Sequence, residues 1–389
     1  MTKTTEAVVI GGGVMGTSIL YNLASRGVKA PVLLERDRLG SGSTGRSSGI
    51  IRMHYSTEVC TRLSWESYQI FMNFDEIVGG DVAFVKTGFM LFVPEDAVGG
   101  IEHNVAIQQA VGVDARIVSR QEAQELAPGF EFGDSEAFGW EPESGHADPS
   151  GTAMAYAARS RDMGADVVLE SPATGVEIEN GRVVAVTTAT ERYETPIAVV
   201  ATGPWSARFL PTLGVEVPLE ATRHEVFFIR RPMDKLPSMP GGADMANLTY
   251  FRPEGADLTL VGNGNVEAEV DPDTYNPRPS MDYVQDVWTR LAKRIPDLAD
   301  GEFYTGYAGL YTSTPDLHPI IDRVDGIDGL YVCTGFSGHG FKLSPTVGIC
   351  MAELVLDGAA STVDIKPLRM SRFAEGDLNT LSYEFKVIA

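Results

Sequence analysis

Two glycine-rich turns stand at opposite ends of this 389-residue chain, each following a short apolar run and each leading toward a helical stretch. Near the N-terminus, Ala7-Val8-Val9-Ile10 leads into Gly11-Gly12-Gly13-Val14-Met15-Gly16. Near the C-terminus, Leu330-Tyr331-Val332-Cys333 leads into Gly335-Phe336-Ser337-Gly338-His339-Gly340-Phe341-Lys342. One such turn is a weak sign of dinucleotide binding. A pair so far apart points to a fold that closes on itself around one large ligand. The first turn fits the dinucleotide fingerprint: Gly11 permits the tight turn, Gly13 lets the backbone approach a pyrophosphate, and Gly16 lets helix and strand pack closely. Glu35 ends the next apolar strand, residues 31–35, where a carboxylate accepts both ribose hydroxyls and disfavours a 2′-phosphate. The ligand favoured by both turns together is FAD. An NAD-dependent enzyme explains the first turn but not the second.

Composition narrows the partners. The formal charge is 31 − 53 = −22, which repels nucleic acid and anionic lipid, so neither is expected. An anionic substrate then needs a local cationic pocket, which draws attention to Lys and Arg beside the glycine loops. The length suits two intertwined domains, and 43% hydrophobic residues suffice for a packed core. Cys60, Cys333 and Cys350 have no metal-type spacing, and the six histidines show no paired spacing, so no metal site is expected. Sparse cysteines suit a reducing compartment. The first strand begins close to Met1, leaving no room for a signal peptide, and no apolar run could span a bilayer. The expected location is the cytoplasm.

Along the chain, residues 14–26 read as a helix stopped by Gly27, and residues 40–49 as a loop of small residues leading into Ile50-Ile51-Arg52. Residues 57–78 look helical, and 82–93 look like paired strands around Gly88. Asp148 and Ser150 suit the cap of an alanine-rich helix running to Gly164. Asn180-Gly181 marks a hairpin, and 197–203 a buried strand. Residues 216–270 look β-rich, 280–294 helical, and 344–357 helical with Pro345 in the first turn. Lys342, inside a loop of Gly, Ser, Phe and His, either stabilises charge on a reduced flavin or holds a carboxylate; its bland alternative is a solvated lysine. Arg52 offers a planar fork to a carboxylate or makes a structural ion pair. His54, His224 and His339 are general bases or ordinary polar residues, with His339 favoured by its loop. Tyr250 and Tyr311 stand beside chain breaks, where most tyrosines simply pack.

Taken together, these motifs resemble the flavoprotein family of D-amino acid oxidase, glycine oxidase and sarcosine oxidase, most nearly sarcosine oxidase and the β subunit of its heteromeric forms. The likeness rests on the first turn with Glu35, on Ile50-Ile51-Arg52, on Ala201-Thr202-Gly203-Pro204-Trp205, on Tyr311-Thr312-Ser313-Thr314-Pro315-Asp316 and on the second glycine loop. It implies an α/β fold with a discontinuous, Rossmann-like FAD-binding domain (1–85, 146–215 and 320–389). It also implies a substrate domain (86–145 and 216–319) whose mixed β-sheet roofs the flavin. Arg52 and Lys342 are implied to hold the substrate carboxylate, and Tyr250 and Tyr311 to be active-site tyrosines. FAD contacts are implied for Gly11, Gly13, Val14, Met15, Gly16, Glu35 and Arg36. In the small-residue loop they extend to Ser43, Thr44, Arg46, Ser47, Ser48 and Gly49. Further along they fall on Val176, Ala201, Thr202, Gly203, Trp205 and Gly309, then on Gly335, Phe336, Gly338, His339, Gly340, Phe341 and Lys342.

Departures from the pattern carry information. Monomeric sarcosine oxidases tether FAD through a cysteine two residues before the Tyr-Thr pair, where this chain has Gly309. Dimethylglycine dehydrogenases use a histidine in the early small-residue loop, where Arg46 stands. FAD is therefore expected to be held non-covalently. Sarcosine oxidase places an oxygen-activating lysine after the active-site tyrosine, and Leu258-Thr259-Leu260-Val261-Gly262 has none, so dehydrogenase chemistry becomes an option. The expected activity is oxidation of the C–N bond of a small amino acid, secondary or N-methylated, by hydride transfer to flavin N5. Tyr250, Tyr311 and His339 are the candidates for shedding the amine proton. The acceptor is oxygen or an unidentified carrier, and a heteromeric complex is possible. The alternatives are a flavin dehydrogenase of a 2-hydroxy acid and an FAD-binding subunit of a larger electron-transfer complex.

Overall fold

Runs of valine, leucine and isoleucine too apolar to face water on either side build the centre of the molecule. In the computed structural model, which describes residues 1–264 and 269–382, they form a six-stranded sheet. Its order is Asp166–Val168, Val32–Leu34, Val8–Ile10, Ala198–Val200, Leu330–Thr334, Ile320–Arg323. The first five strands are parallel and the last is antiparallel. Ala198–Val200 lies between the two strands that feed the glycine turns, so the sheet brings chain ends more than 300 residues apart to one edge of one crevice. Helices Val14–Ser25, Pro149–Asp162 and Gly340–Asp357 cover one face. Ile19, Leu20 and Leu23 of the first pack with Leu343, Val347 and Met351 of the last.

A mixed eight-stranded sheet forms the second layer. Its order is Glu302–Ser313, Glu220–Arg230, Leu258–Asn263, Thr249–Glu254, Gly241–Asp244, Phe89–Val93, Ala137–Glu141, Arg116–Val118. Neighbours are antiparallel except Gly241–Asp244 with Phe89–Val93. Strand alternation divides its side chains. Phe227, Ile229, Phe251 and Val261 pack against the helix Met281–Arg294 through Val284, Val287 and Leu291. His224, Val226 and Tyr250 face the other way, toward the glycine turns.

The segments read from sequence form with two differences. Residues 82–93 are not a hairpin: Val85–Lys86 pairs with Gly145–His146, while Phe89–Val93 joins the large sheet. Gly88 turns the chain between two sheets, with the Trp140 ring against it. The last helix starts at Gly340, so Pro345 lies in its second turn. The ring removes the donor that Phe341 O would receive, and the Ser344 hydroxyl donates to that carbonyl instead at 2.8 Å. The β-rich stretch 216–270 includes 265–268, outside the described residues. Asn180 (φ +51°) and Gly181 (φ +74°) make the expected tight hairpin. Among the described residues no helix is long and apolar enough to cross a membrane. Among the same residues no group of three or more His, Cys, Asp or Glu side chains is placed to hold a metal ion.

Candidate active site

A long cleft runs between the two sheets, and the N-terminal turn forms its floor. Gly11 adopts φ +114°, and a Cβ there would come within 2.4 Å of Ala201 O. Gly16 packs still closer: a Cβ would stand 1.9 Å from Gly11 O. Gly11, Gly13, Val14 and Met15 line the cleft directly, whereas Gly16 acts at one remove by allowing helix and turn to touch. The turn opens the helix Val14–Ser25, whose free N–H groups and dipole favour a phosphate. Glu35 reaches the same wall. Its Oε2 accepts Gly12 N at 2.6 Å and its Oε1 accepts Asp37 N at 2.8 Å, which fixes the carboxylate at the cleft edge. Arg36 stacks over Trp205 with its guanidinium 3.8 Å from the ring, and Asp273 accepts hydrogen bonds from Arg36, Trp205 and Arg208.

The small-residue loop closes one side. Thr44 Oγ1 accepts from Val14 N at 3.0 Å, and Ser43 donates to Leu310 O at 2.7 Å, tying the loop to the roof. Ser47 and Ser48 line the cleft, as do Ala201, Thr202 and Gly203 on the far wall. Gly49 turns the chain away at φ +69° and lies against Ala147 O rather than on the wall. Gly309 of the roof faces Arg46: a Cβ on Gly309 would stand 2.9 Å from Arg46 Cβ. The two positions at which the resemblance places covalent tethers therefore meet at one spot, and neither carries a side chain suited to a tether. Val176 departs from expectation. The strand register shifts between Ala173 and Gly175, and Val176 packs beneath the six-stranded sheet. Pro172, Ala173 and Thr174 reach the cleft in its place.

Tyr250 and Tyr311 both line the roof of the cleft. Gly338, at φ +90°, leaves room for the Tyr311 ring, which a Cβ would meet at 2.5 Å. On the roof, His224 stacks with Tyr311, centroids 3.7 Å apart. Its Nε2 bonds Thr222 Oγ1 at 3.0 Å, and its buried Nδ1 has no partner among the described residues. Burial pushes the His224 imidazole down to about 3, so the ring is neutral at pH 7. Burial pushes the phenols of Tyr250 and Tyr311 up. From the sequence, His224 is a general base or an ordinary polar residue with no motif to place it on the roof. The alternation Thr222, His224, Val226 along one strand was the available signal.

Gly335, Phe336, Gly338, Gly340 and Phe341 line the cleft, but Arg52, His339 and Lys342 gather just behind that wall around Tyr55. Arg52 lies 5.0 Å and Lys342 Nζ 6.0 Å from the Tyr55 ring centre, and the His339 ring stands edge-on to it at 5.4 Å. All are buried; Lys342 is 7% exposed. Burial, reinforced by Arg52, holds the Lys342 ammonium well below its ordinary value, and Glu141 opposes this. Burial and the same two cations hold His339 far down. Among the described residues, Lys342 Nζ has no hydrogen-bond or ion-pair partner, and the buried atoms Tyr55 Oη and His339 Nε2 have no hydrogen-bond partner.

The glycine cradle, the fixed acid and the positive helix end fit a flavin dinucleotide: Gly11, Gly13, Glu35, Thr44 and Gly203 would hold its adenosine and pyrophosphate, and the second glycine loop its ring. The comparisons with known proteins agree. Human peroxisomal sarcosine oxidase is 29% identical over 395 residues, covering 95% of this chain and 96% of its own. A bovine protein, FAD-dependent oxidoreductase domain-containing protein 1, is 28% identical over 419 residues, 96% of this chain and 86% of that protein. The solved structure of L-proline dehydrogenase from P. horikoshii matches with TM-score 0.90 and 28% identity, covering 97% of this chain and 100% of that one. A family model described as FAD dependent oxidoreductase matches residues 6–354, and the chain belongs to that family, as an FAD-dependent enzyme of amino acid oxidase type.

Proposed function

We propose that the protein oxidises the C–N bond of a small secondary or N-methylated amino acid, with Arg52 and Lys342 holding the carboxylate. The observation that carries this reading is the pair of buried cations behind the second glycine loop, where Lys342 lacks an anionic partner of its own. A buried lysine without a partner carboxylate is costly to keep charged, and a bound substrate carboxylate would offset that cost. Two relatives support the amine class, since sarcosine and proline are both secondary α-amino acids. FAD held by the two glycine turns would supply a two-electron acceptor for the hydride on the carbon beside the nitrogen, and the resulting imine would add water.

The chain's residues orient the substrate and exclude water. Tyr250, Tyr311 and His224 form the roof and Phe341 part of the opposite wall. The phenols are shifted up and the imidazoles down. Neither kind of group is suited to take an ammonium proton at neutral pH, so the site selects the neutral amine from solution. FAD is held without a covalent bond, given Gly309 and Arg46 at the tether positions. The division into an FAD domain and a substrate domain, and cytoplasmic residence with three buried free thiols, belong to the same proposal. The test is anaerobic: mix the holoenzyme with sarcosine, other N-methyl amino acids, L-proline, glycine and 2-hydroxy acids, and follow flavin absorbance. Bleaching by an N-alkyl amino acid is expected. Bleaching by hydroxy acids alone, or by none of these compounds, contradicts the reading.

A further inference from the structure

Behind Arg52 lies a buried polar chain that the proposed reaction does not use directly. Glu141, at the end of the strand Ala137–Glu141, is 1% exposed. Its Oε2 accepts from Met53 N at 2.9 Å and from the Ser144 hydroxyl at 2.6 Å. Its Oε1 accepts from Gln108 Nε2 at 2.9 Å and stands 3.9 Å from His54 Nδ1. Gln108 Oε1 meets His54 Nδ1 at 3.0 Å, Asn104 Nδ2 meets His54 Nε2 at 3.1 Å, and Arg52 donates to His54 O. The carboxylate thus grips the residue after Arg52 through its backbone and the next one through Gln108.

We propose that Glu141 is a positioning residue of this site: a buried carboxylate that fixes the segment carrying Arg52 before substrate arrives and favours the charged form of Lys342 behind it. The proposal rests on the carboxylate-site reading above. His54 is neutral, since burial and then Arg52 push it down to about 3. The groups facing Lys342 are Arg52 and Tyr55 on the segment after Ile50–Ile51, Cys60 on the helix Glu58–Met72, Glu141 on its strand and His339 on its own loop. Beyond Cys60 lies the Arg372–Asp316 pair. Burial and Arg52 favour neutral Lys342, whereas Glu141 favours the ammonium. Removing the negative charge therefore makes Lys342 release its proton at lower pH.

The probe is methylthioacetate, which has the carboxylate but no amine, titrated into the holoenzyme between pH 6 and 10 and read by flavin absorbance, beside its uncharged amide. Arg52→Met and Lys342→Met should abolish the preference for acid over amide. If they do not, the carboxylate site itself is wrong and the proposal falls with it. If they do, Glu141→Gln should move the alkaline limb of acid binding down by at least about one pH unit, a roughly tenfold loss above it. Binding at the lowest pH should hold or tighten, and Glu141→Asp should restore the limb. An unmoved limb, or equal weakening of acid and amide at every pH, overturns the proposal. Should Glu141→Gln fail to fold, proton uptake by the unmutated holoenzyme decides: at pH 7 binding of the acid should take up no proton, and uptake approaching one proton contradicts a protonated Lys342.

Discussion

Arg372 and Lys342 are both buried cations near the second glycine loop, and they are treated in opposite ways. Arg372 is fully enclosed, and its Nε and Nη2 donate to both Asp316 oxygens at 2.8 and 2.9 Å. It also bonds the carbonyls of Arg369 and His318. Arg294 repeats the pattern with Asp244 and Asp134. Lys342 has neither a carboxylate within 4 Å nor a hydrogen bond among the described residues. A buried cation matched to its own carboxylate completes the fold; in the proposed reading, one left short of an anion holds a ligand.

Four expectations test that contrast. Replacing Asp316→Asn strands Arg372 and should cost about 4 kcal/mol of stability in denaturant melts, with little change in the Michaelis constant of refolded enzyme. The same pair makes an acid prediction. Arg372 holds Asp316 below its ordinary range, so its stabilisation is complete above the unfolded value near ~4 and is lost as pH falls through the folded one. The Asn variant should therefore lack that part of the acid-induced stability loss.

Lys342→Met should do the reverse: a Michaelis constant for carboxylate substrates raised about 100-fold, with a melting temperature equal to or above that of the parent. A destabilised Met variant with an unchanged constant would place Lys342 beside Arg372 as a structural cation. Third, if the site selects neutral amine, kcat/KM should climb about tenfold per pH unit from 6.5 to 8.5. A plateau beginning near pH 7 would reveal a base that the shifts of His224, His339 and the tyrosines do not allow. The smallest effect belongs to the half-exposed cluster of Asp273 with Arg36 and Arg208. Asp273→Asn should weaken FAD binding by less than about fivefold, and added salt should erase the difference. A larger effect would show that surface pairing holds the dinucleotide.

What could be read from the chain follows the same physical line. Gly11, Gly16 and Glu35 act through backbone geometry and local spacing, so the cradle is legible within 35 residues. The second loop is legible for the same reason, although Ser337 at φ +48° shows a left-handed turn that no glycine announces. The roof is less so. Tyr250, Tyr311 and His224 meet only because four strands pair in register, with Gly262 leaving room for the Tyr250 ring, and His224 draws meaning from the ring against it. Glu141 is further from view still, since its partners Met53, Gln108 and Ser144 come from three separate segments. Pro345 misplaced the helix start because a side-chain hydroxyl four atoms away replaced the missing donor, a compensation that propensity does not contain.

The most direct measurement compares two reductants of the same holoenzyme: the anaerobic rate of flavin bleaching by sarcosine and by its amide, each across a concentration series. The account predicts that sarcosine bleaches the flavin and that its amide needs roughly 100-fold higher concentration for the same rate. Equal dependence on concentration for acid and amide would contradict a carboxylate held by Arg52 and Lys342.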